Sequence, residues 1–167
     1  MKQLLLIRHG KSDWDSPGLN DHERTLNEQG QRDVLKMAAA LRQRGVEPDL
    51  IVTSTAIRAL TTARMIGDAM ACPIGQIQAD SDLYLASPQT ILRKIQHLDE
   101  DADTVMIFGH NPGMHEAVNL LSDSTVVEDF PTLAVARFEL SVGYWGEIEF
   151  STGLLIERIT PRFLSSE

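Results

Sequence analysis

The alternation of short apolar runs with helical periodicity is the strongest constraint on how this chain can fold. Three runs, residues 3–8, 49–53 and 104–108, are apolar on nearly successive positions, and each gives way to polar residues and then to an amphipathic pattern. Continuous apolarity is what a strand needs when both faces of its sheet are covered, as in a parallel sheet. Between them, Thr25 and Glu28 have capping-box spacing, and Val34, Ala38 and Leu41 recur at i, i+4, i+7 until Gly45 stops the pattern. After the second run, Ser54 or Thr55 is placed to cap a helix reaching about Met70. Further helices are predicted over about 88–98 and 113–121, with residues 83–85 as loop or short extended chain. The late segments 133–140, 144–150 and 154–159 read as strands, the last two joined at Gly153 as a hairpin. Strands separated by helices early, with extra strands late, predict an α/β sandwich around a mixed sheet.

No repeat or linker interrupts the 167 residues, so one domain over 1–167 is expected. A chain of this size can bury a core without disulfides, and the single cysteine, Cys72, has no partner for one. That fits a reducing, cytoplasmic setting. The apolar runs are too short to span a bilayer, and only four apolar residues, 4–7, separate Gln3 from Arg8, so neither membrane association nor a signal-peptide core is expected. A net charge of −9 argues against nucleic acid as a partner, because phosphate contacts need a basic surface. The charge is unevenly placed. Residues 1–64 carry ten basic and eight acidic side chains, against five and sixteen over 65–167. An anion is best held by the first third.

In open α/β sheets ligands gather beyond the carboxyl ends of the strands. Here three strand ends carry reactive residues: Arg8-His9-Gly10, then Ser54 through Arg58, then Gly109-His110-Asn111. Gly10 permits a sharp turn beside an imidazole and a guanidinium. Arg58 falls in the first turn of a helix, where free backbone N–H groups and a planar fork of donors can converge on a phosphate. Taken singly, each has an ordinary explanation: a salt-bridged strand end, a solvated helix arginine, a structural turn histidine. Three such ends together are harder to dismiss.

Arg8-His9-Gly10 with Ser12 and Trp14 behind it, Ser54-x-x-x-Arg58-Ala59 running into Thr62-Ala63, and Gly109-His110-Asn111-Pro112 resemble the histidine phosphatase superfamily, which includes the cofactor-dependent phosphoglycerate mutases. Asp21-x-x-Arg24-Thr25-Leu26-x-x-x-Gly30 and the short chain resemble its SixA-type phosphohistidine phosphatase branch. The resemblance covers residues 3 to about 120. It implies a three-layer, phosphoglycerate-mutase-like α/β/α sandwich whose mixed central sheet is mostly parallel. It also implies His9 as the nucleophile, giving a covalent phosphohistidine enzyme that water hydrolyses. Arg8, Arg58 and His110 would stabilise the transferring group, His110 as a donor to a phosphoryl oxygen. Ser12, the amide of Asn111, and Arg24 from the loop are further candidate phosphate or substrate contacts. Side-chain donors of this kind can take the place of a metal, and no metal or other cofactor is expected.

The mutase-like branch carries a Glu near residues 80–86 that protonates the leaving oxygen. This chain reads Asp80-Ser81-Asp82-Leu83-Tyr84-Leu85-Ala86, with Leu85 or a neighbour at that place and Asp82 nearby. An alkoxide leaving group needs a proton badly, whereas an imidazole nitrogen is readily protonated near neutrality. The expected substrate is therefore a phosphohistidine displayed on another protein, and the short chain suits an open site. The sequence does not fix oligomeric state, and a monomer is compatible with it. A small-molecule phosphoester phosphatase or mutase is the second reading, and a non-catalytic phosphate-recognising domain the third.

Other patterns fall away. Gly10-Lys11-Ser12 lacks the glycine that a nucleotide-binding loop needs at position 5, where Leu5 stands. Asp101-Ala102-Asp103-Thr104 precedes its strand instead of following it, and Cys72 has Gln78, not Arg, six residues on. His97 reads as a surface residue and His115 as a helix-face residue. His22 is a candidate for the site mouth, and Trp14 for the floor of the pocket or for anchoring the loop.

Overall fold

The computed structural model describes residues 1–13 and 18–164, so Trp14 lies outside the described residues. Six strands form one sheet: β1 (Lys2–Arg8), β2 (Leu50–Thr53), β3 (Ile77–Ala79), β4 (Thr104–Gly109), β5 (Val135–Leu140) and β6 (Leu154–Ile159). Their order is β3-β2-β4-β1-β5-β6, and only β5 runs against its neighbours, which makes the sheet mixed and mostly parallel. The helices are α1 (Glu28–Gln43), α2 (Ile57–Ala69), α3 (Pro88–Gln96) and α4 (Gly113–Leu121).

Side chains on successive residues of a strand face opposite sides of the sheet, so the continuous apolar runs feed two cores. Leu4, Leu6, Val105 and Ile107 pack with Ile91 and Ile95 of α3 and Met114 and Val118 of α4. Leu5, Ile7, Met106 and Phe108 pack on the opposite face with Val34, Met37 and Leu41 of α1 and Ile66 of α2. This is the α/β/α sandwich expected.

Four local readings change. Helix α1 is capped by Asn27, whose side chain accepts from the Gly30 N–H, in place of Thr25. Helix α2 starts at Ile57 with Ala56 as its cap, and the Ser54 hydroxyl accepts from the Ala56 N–H at 3.2 Å while also lying 2.8 Å from His110 Nε2. Residues 144–150 are not a strand: Trp145–Glu147 is a 3-10 turn whose buried indole donates to the Ala102 carbonyl at 2.8 Å. Strand β6 therefore pairs with β5 and not with residues 144–150. Strand β3 was missed because three residues on a sheet edge, half-buried to exposed, leave no apolar run.

Two glycines let loops reach the strand ends. A Cβ on Gly30 would lie 2.3 Å from the Lys11 carbonyl oxygen, and one on Gly113 would lie 1.8 Å from that of Ala86. Both obstacles are backbone. Gly113→Ala is expected to cost about 2 kcal/mol, read as a lowered midpoint in urea unfolding; an unchanged midpoint would mean the 84–86 turn is free to move.

Candidate active site

Strand β4 lies between β1 and β2, and the register sets Arg8 beside Gly109 and Thr53 beside Phe108. The ladder continues past the strands, with His9 N–H donating to the Gly109 carbonyl and Ser54 N–H to that of Phe108, each at 3.1 Å. The three reactive strand ends are thus level with one another. Arg8, His9, Ser12, Arg24, Arg58, His110 and Asn111 all line one pocket of about 460 Å³, together with Asp21, Leu85 and Thr132.

His9 is buried, and its Nδ1 lies 2.7 Å from the Gly10 carbonyl oxygen. A carbonyl can only accept, so Nδ1 carries the proton and Nε2 keeps its lone pair. Arg58 Nε donates to that Nε2 at 3.3 Å. Burial, joined by the charges of Arg58, Arg8 and Arg24, pushes the His9 pKa down to about 4, although the Gly10 bond works the other way. At neutral pH the ring is uncharged.

Arg58 is the hub. Its Nη1 donates to the Asp21 carbonyl at 2.6 Å, and its Nη2 reaches Asp21 Oδ2 at 3.1 Å and His110 Nδ1 at 3.3 Å. A guanidinium only donates, so in this arrangement His110 Nδ1 accepts and Nε2–H faces Ser54 Oγ at 2.8 Å. Burial, then the neighbouring His9 and Arg58, push the His110 pKa down to about 3. To donate to a phosphoryl oxygen from Nδ1, His110 must shift tautomer. Ser54 permits this, because its hydroxyl can donate to Nε2 as readily as accept from it.

Arg24 is buried by three contacts: Nε to the Asp13 carbonyl at 3.2 Å, Nη1 to Asp21 Oδ1 at 2.8 Å, and Nη2 to Ser12 Oγ at 2.5 Å. Arg8 Nη1 reaches the Phe130 carbonyl at 3.3 Å, while its buried Nε has no hydrogen-bond partner among the described residues. The Asn111 side-chain amide donates to the Phe130 carbonyl at 2.7 Å, and its oxygen accepts from His115 N–H at 3.3 Å. That side chain braces the turn and is not turned freely to the pocket.

Asp21 and Tyr84 are the residues that sequence reasoning did not single out. The Tyr84 hydroxyl donates to Asp21 Oδ2, and its ring meets His22 and His110 edge-on at centroid distances of 4.9 and 5.4 Å. Burial raises the Asp21 carboxyl, but hydrogen bonds from Tyr84, Arg58 and Arg24 outweigh it and hold the pKa at about 2. His22 stands behind this pair, 2.8 Å from Thr55 Oγ1. The only signal for Asp21 was its place in the Asp21-x-x-Arg24 spacing; nothing local links it to a tyrosine sixty residues on. Asp82 is removed from the site, two-thirds exposed and ion-paired to Lys94 at 2.9 Å. Among the described residues, no cluster of three or more His, Cys, Asp or Glu side chains is placed to hold a metal, and no helix is long and apolar enough to cross a membrane.

The family model for the histidine phosphatase superfamily, branch 1, matches residues 4–83. The chain is thus similar to that superfamily in sequence over about half its length, and its fold likeness is given below. It is similar to an uncharacterized chloroplastic protein of Arabidopsis thaliana, 32% identical over 75% of this chain and 61% of the plant protein. An uncharacterized protein of Mycobacterium tuberculosis is 29% identical over 93% of this chain and all of its own length. A 2,3-bisphosphoglycerate-dependent phosphoglycerate mutase of Streptomyces avermitilis is 34% identical, over 38% of this chain and 26% of the mutase. Among solved structures, the protein histidine phosphatase SixA complexed with tungstate superposes with a TM-score of 0.83 at 23% identity, covering 98% of this chain and 99% of the other.

Proposed function

We propose that this chain is a phosphohistidine protein phosphatase. The observation that carries the reading is the imidazole of His9, neutral, its Nε2 unprotonated and held only by the Arg58 donor, in a pocket also lined by Arg8, Arg24 and His110. In the first step Nε2 attacks phosphorus in line, the substrate P–N bond breaks, and the departing imidazole nitrogen takes up a proton. Arg8 and Arg58 neutralise charge on the equatorial oxygens. As the phosphoryl group draws the Arg58 donors away from His110, Nδ1 takes up a proton from water while Nε2 gives its own up to water, and the Ser54 hydroxyl turns to donate to the bared Nε2, leaving Nδ1–H as the donor. In the second step water attacks phosphorus, the His9–phosphorus bond breaks, and inorganic phosphate leaves.

The choice of leaving group rests on the pocket's acid. Its one carboxyl among the described lining residues, Asp21, is held ionised near pH 7 by three donors and cannot protonate an alkoxide. A phosphoramidate tolerates that lack. Likeness in fold to a structure of a protein histidine phosphatase, complexed with the phosphate-like anion tungstate, supports the same reading. The similarity to phosphoglycerate mutases keeps small phosphoesters as the second reading. A substrate panel separates the two. Turnover of a phosphohistidine-bearing protein is expected to exceed that of sugar phosphates and 3-phosphoglycerate, in kcat/KM, by at least about 100-fold. Preference for a sugar or glycerate phosphate would overturn the substrate assignment.

A further inference from the structure

Among the described residues that line the pocket, one is apolar and has no part in the mechanism. Leu85 lies at φ +51°, in the left-handed region that suits glycine and disfavours a branched side chain. It is also 56% exposed, although it lines the catalytic pocket. Neither burial nor backbone preference accounts for leucine there.

The turn that carries it is fixed on both sides. Tyr84 is tied to Asp21 through its hydroxyl and abuts His110, while the Ala86 carbonyl sits hard against Gly113. Leu83, just before, is buried in the core of α3 and α4. Leu85 is therefore held at the mouth by its neighbours, and every other described lining residue is charged or polar. A lone apolar group at the entrance to a polar phosphate pocket touches the part of the substrate that is not phosphate.

We propose that Leu85 is a specificity-determining residue for the leaving group, packing against the flat ring of an imidazole bonded to phosphorus. A sugar or glycerate hydroxyl brought to the same place would lose water and gain no partner. The inference rests on the phosphohistidine reading and refines it.

The test compares wild type, Leu85→Gly and Leu85→Met on a phosphohistidine peptide and on phosphoramidate, which has the same P–N bond but no ring. Glycine adopts the left-handed backbone freely, so Leu85→Gly is expected to melt no lower than wild type. Its kcat/KM ratio, peptide over phosphoramidate, is expected to fall about tenfold, through KM. Leu85→Met, which restores apolar contact, is expected to keep the ratio. An unchanged ratio in Leu85→Gly, with wild type active on both substrates, would overturn the role of Leu85 alone. Wild type that hydrolyses sugar phosphates and not the phosphohistidine peptide would overturn the underlying reading as well.

Discussion

His9→Ala is expected to abolish the acid-labile phosphoenzyme and to lower kcat/KM by at least about 10⁴-fold. The substitution removes the atom proposed to form the covalent bond and leaves its surroundings in place. Arg8, Arg58 and His110 belong to different elements and keep their own anchors: the Phe130 carbonyl, Asp21 and Ser54. Binding of an inert oxyanion such as tungstate should therefore persist in the variant, within about tenfold of wild type. Rapid-quench labelling with a ³²P-phosphohistidine protein, alongside calorimetric titration of tungstate, reads the two properties separately. Turnover that survives His9→Ala would sink the nucleophile assignment. Loss of oxyanion binding would mean that His9 holds the pocket together instead.

The second large effect is on stability. Folded His9 and His110 have pKa values pushed down to about 4 and about 3 from an ordinary 6.5. Below pH 6.5 the unfolded chain takes up protons at both rings that the folded chain refuses, so unfolding gains as pH falls. Each ring contributes a slope on the order of 1 kcal/mol per pH unit until pH reaches its folded value. Asp21 acts further down: its stabilising share is complete above about pH 3.8 and is lost as pH falls toward 2. Urea unfolding from pH 7 to 4 is expected to show a steep fall in stability, less steep in His9→Ala and in His110→Ala. A flat wild-type profile, or identical slopes in all three proteins, would rule out neutral buried rings. The same depression keeps the proposed nucleophile uncharged at pH 7, so no acid limb in kcat/KM is expected until well below pH 6.

Much of this site could be read from the sequence because its residues sit at the ends of strands buried on both faces. Leu4 through Ile7 and Val105 through Phe108 are apolar at every position, which fixes where the strands stop and the polar residues begin. The contacts between those ends were beyond reach. That Arg58 touches both His9 and His110 depends on β4 entering between β1 and β2, an arrangement no local pattern encodes. Asp21 and Tyr84 were missed for the same reason: their bond is tertiary and spans two irregular segments. The aromatic and apolar residues of 144–150 imitate a strand, but Trp145 is spent as a plug over the Lys2 stem and Ala102, with the Lys2 ammonium 5.5 Å from its ring. Tertiary burial there outweighed local β propensity.

The central place of β4 also bears on how the protein is made. Its register partners on β1 lie about 100 residues earlier, so the ladder that levels the strand ends closes a long loop. A nascent chain emerging from the ribosome presents Arg8, His9 and Arg58 well before His110 and the strand that sets them side by side. Until β4 inserts, those cations have no common focus, and the imidazole has no burial to keep it neutral. On the proposed function, phosphate affinity would be a late acquisition of folding, and a nick or truncation before β4 is expected to yield a fragment that is catalytically silent.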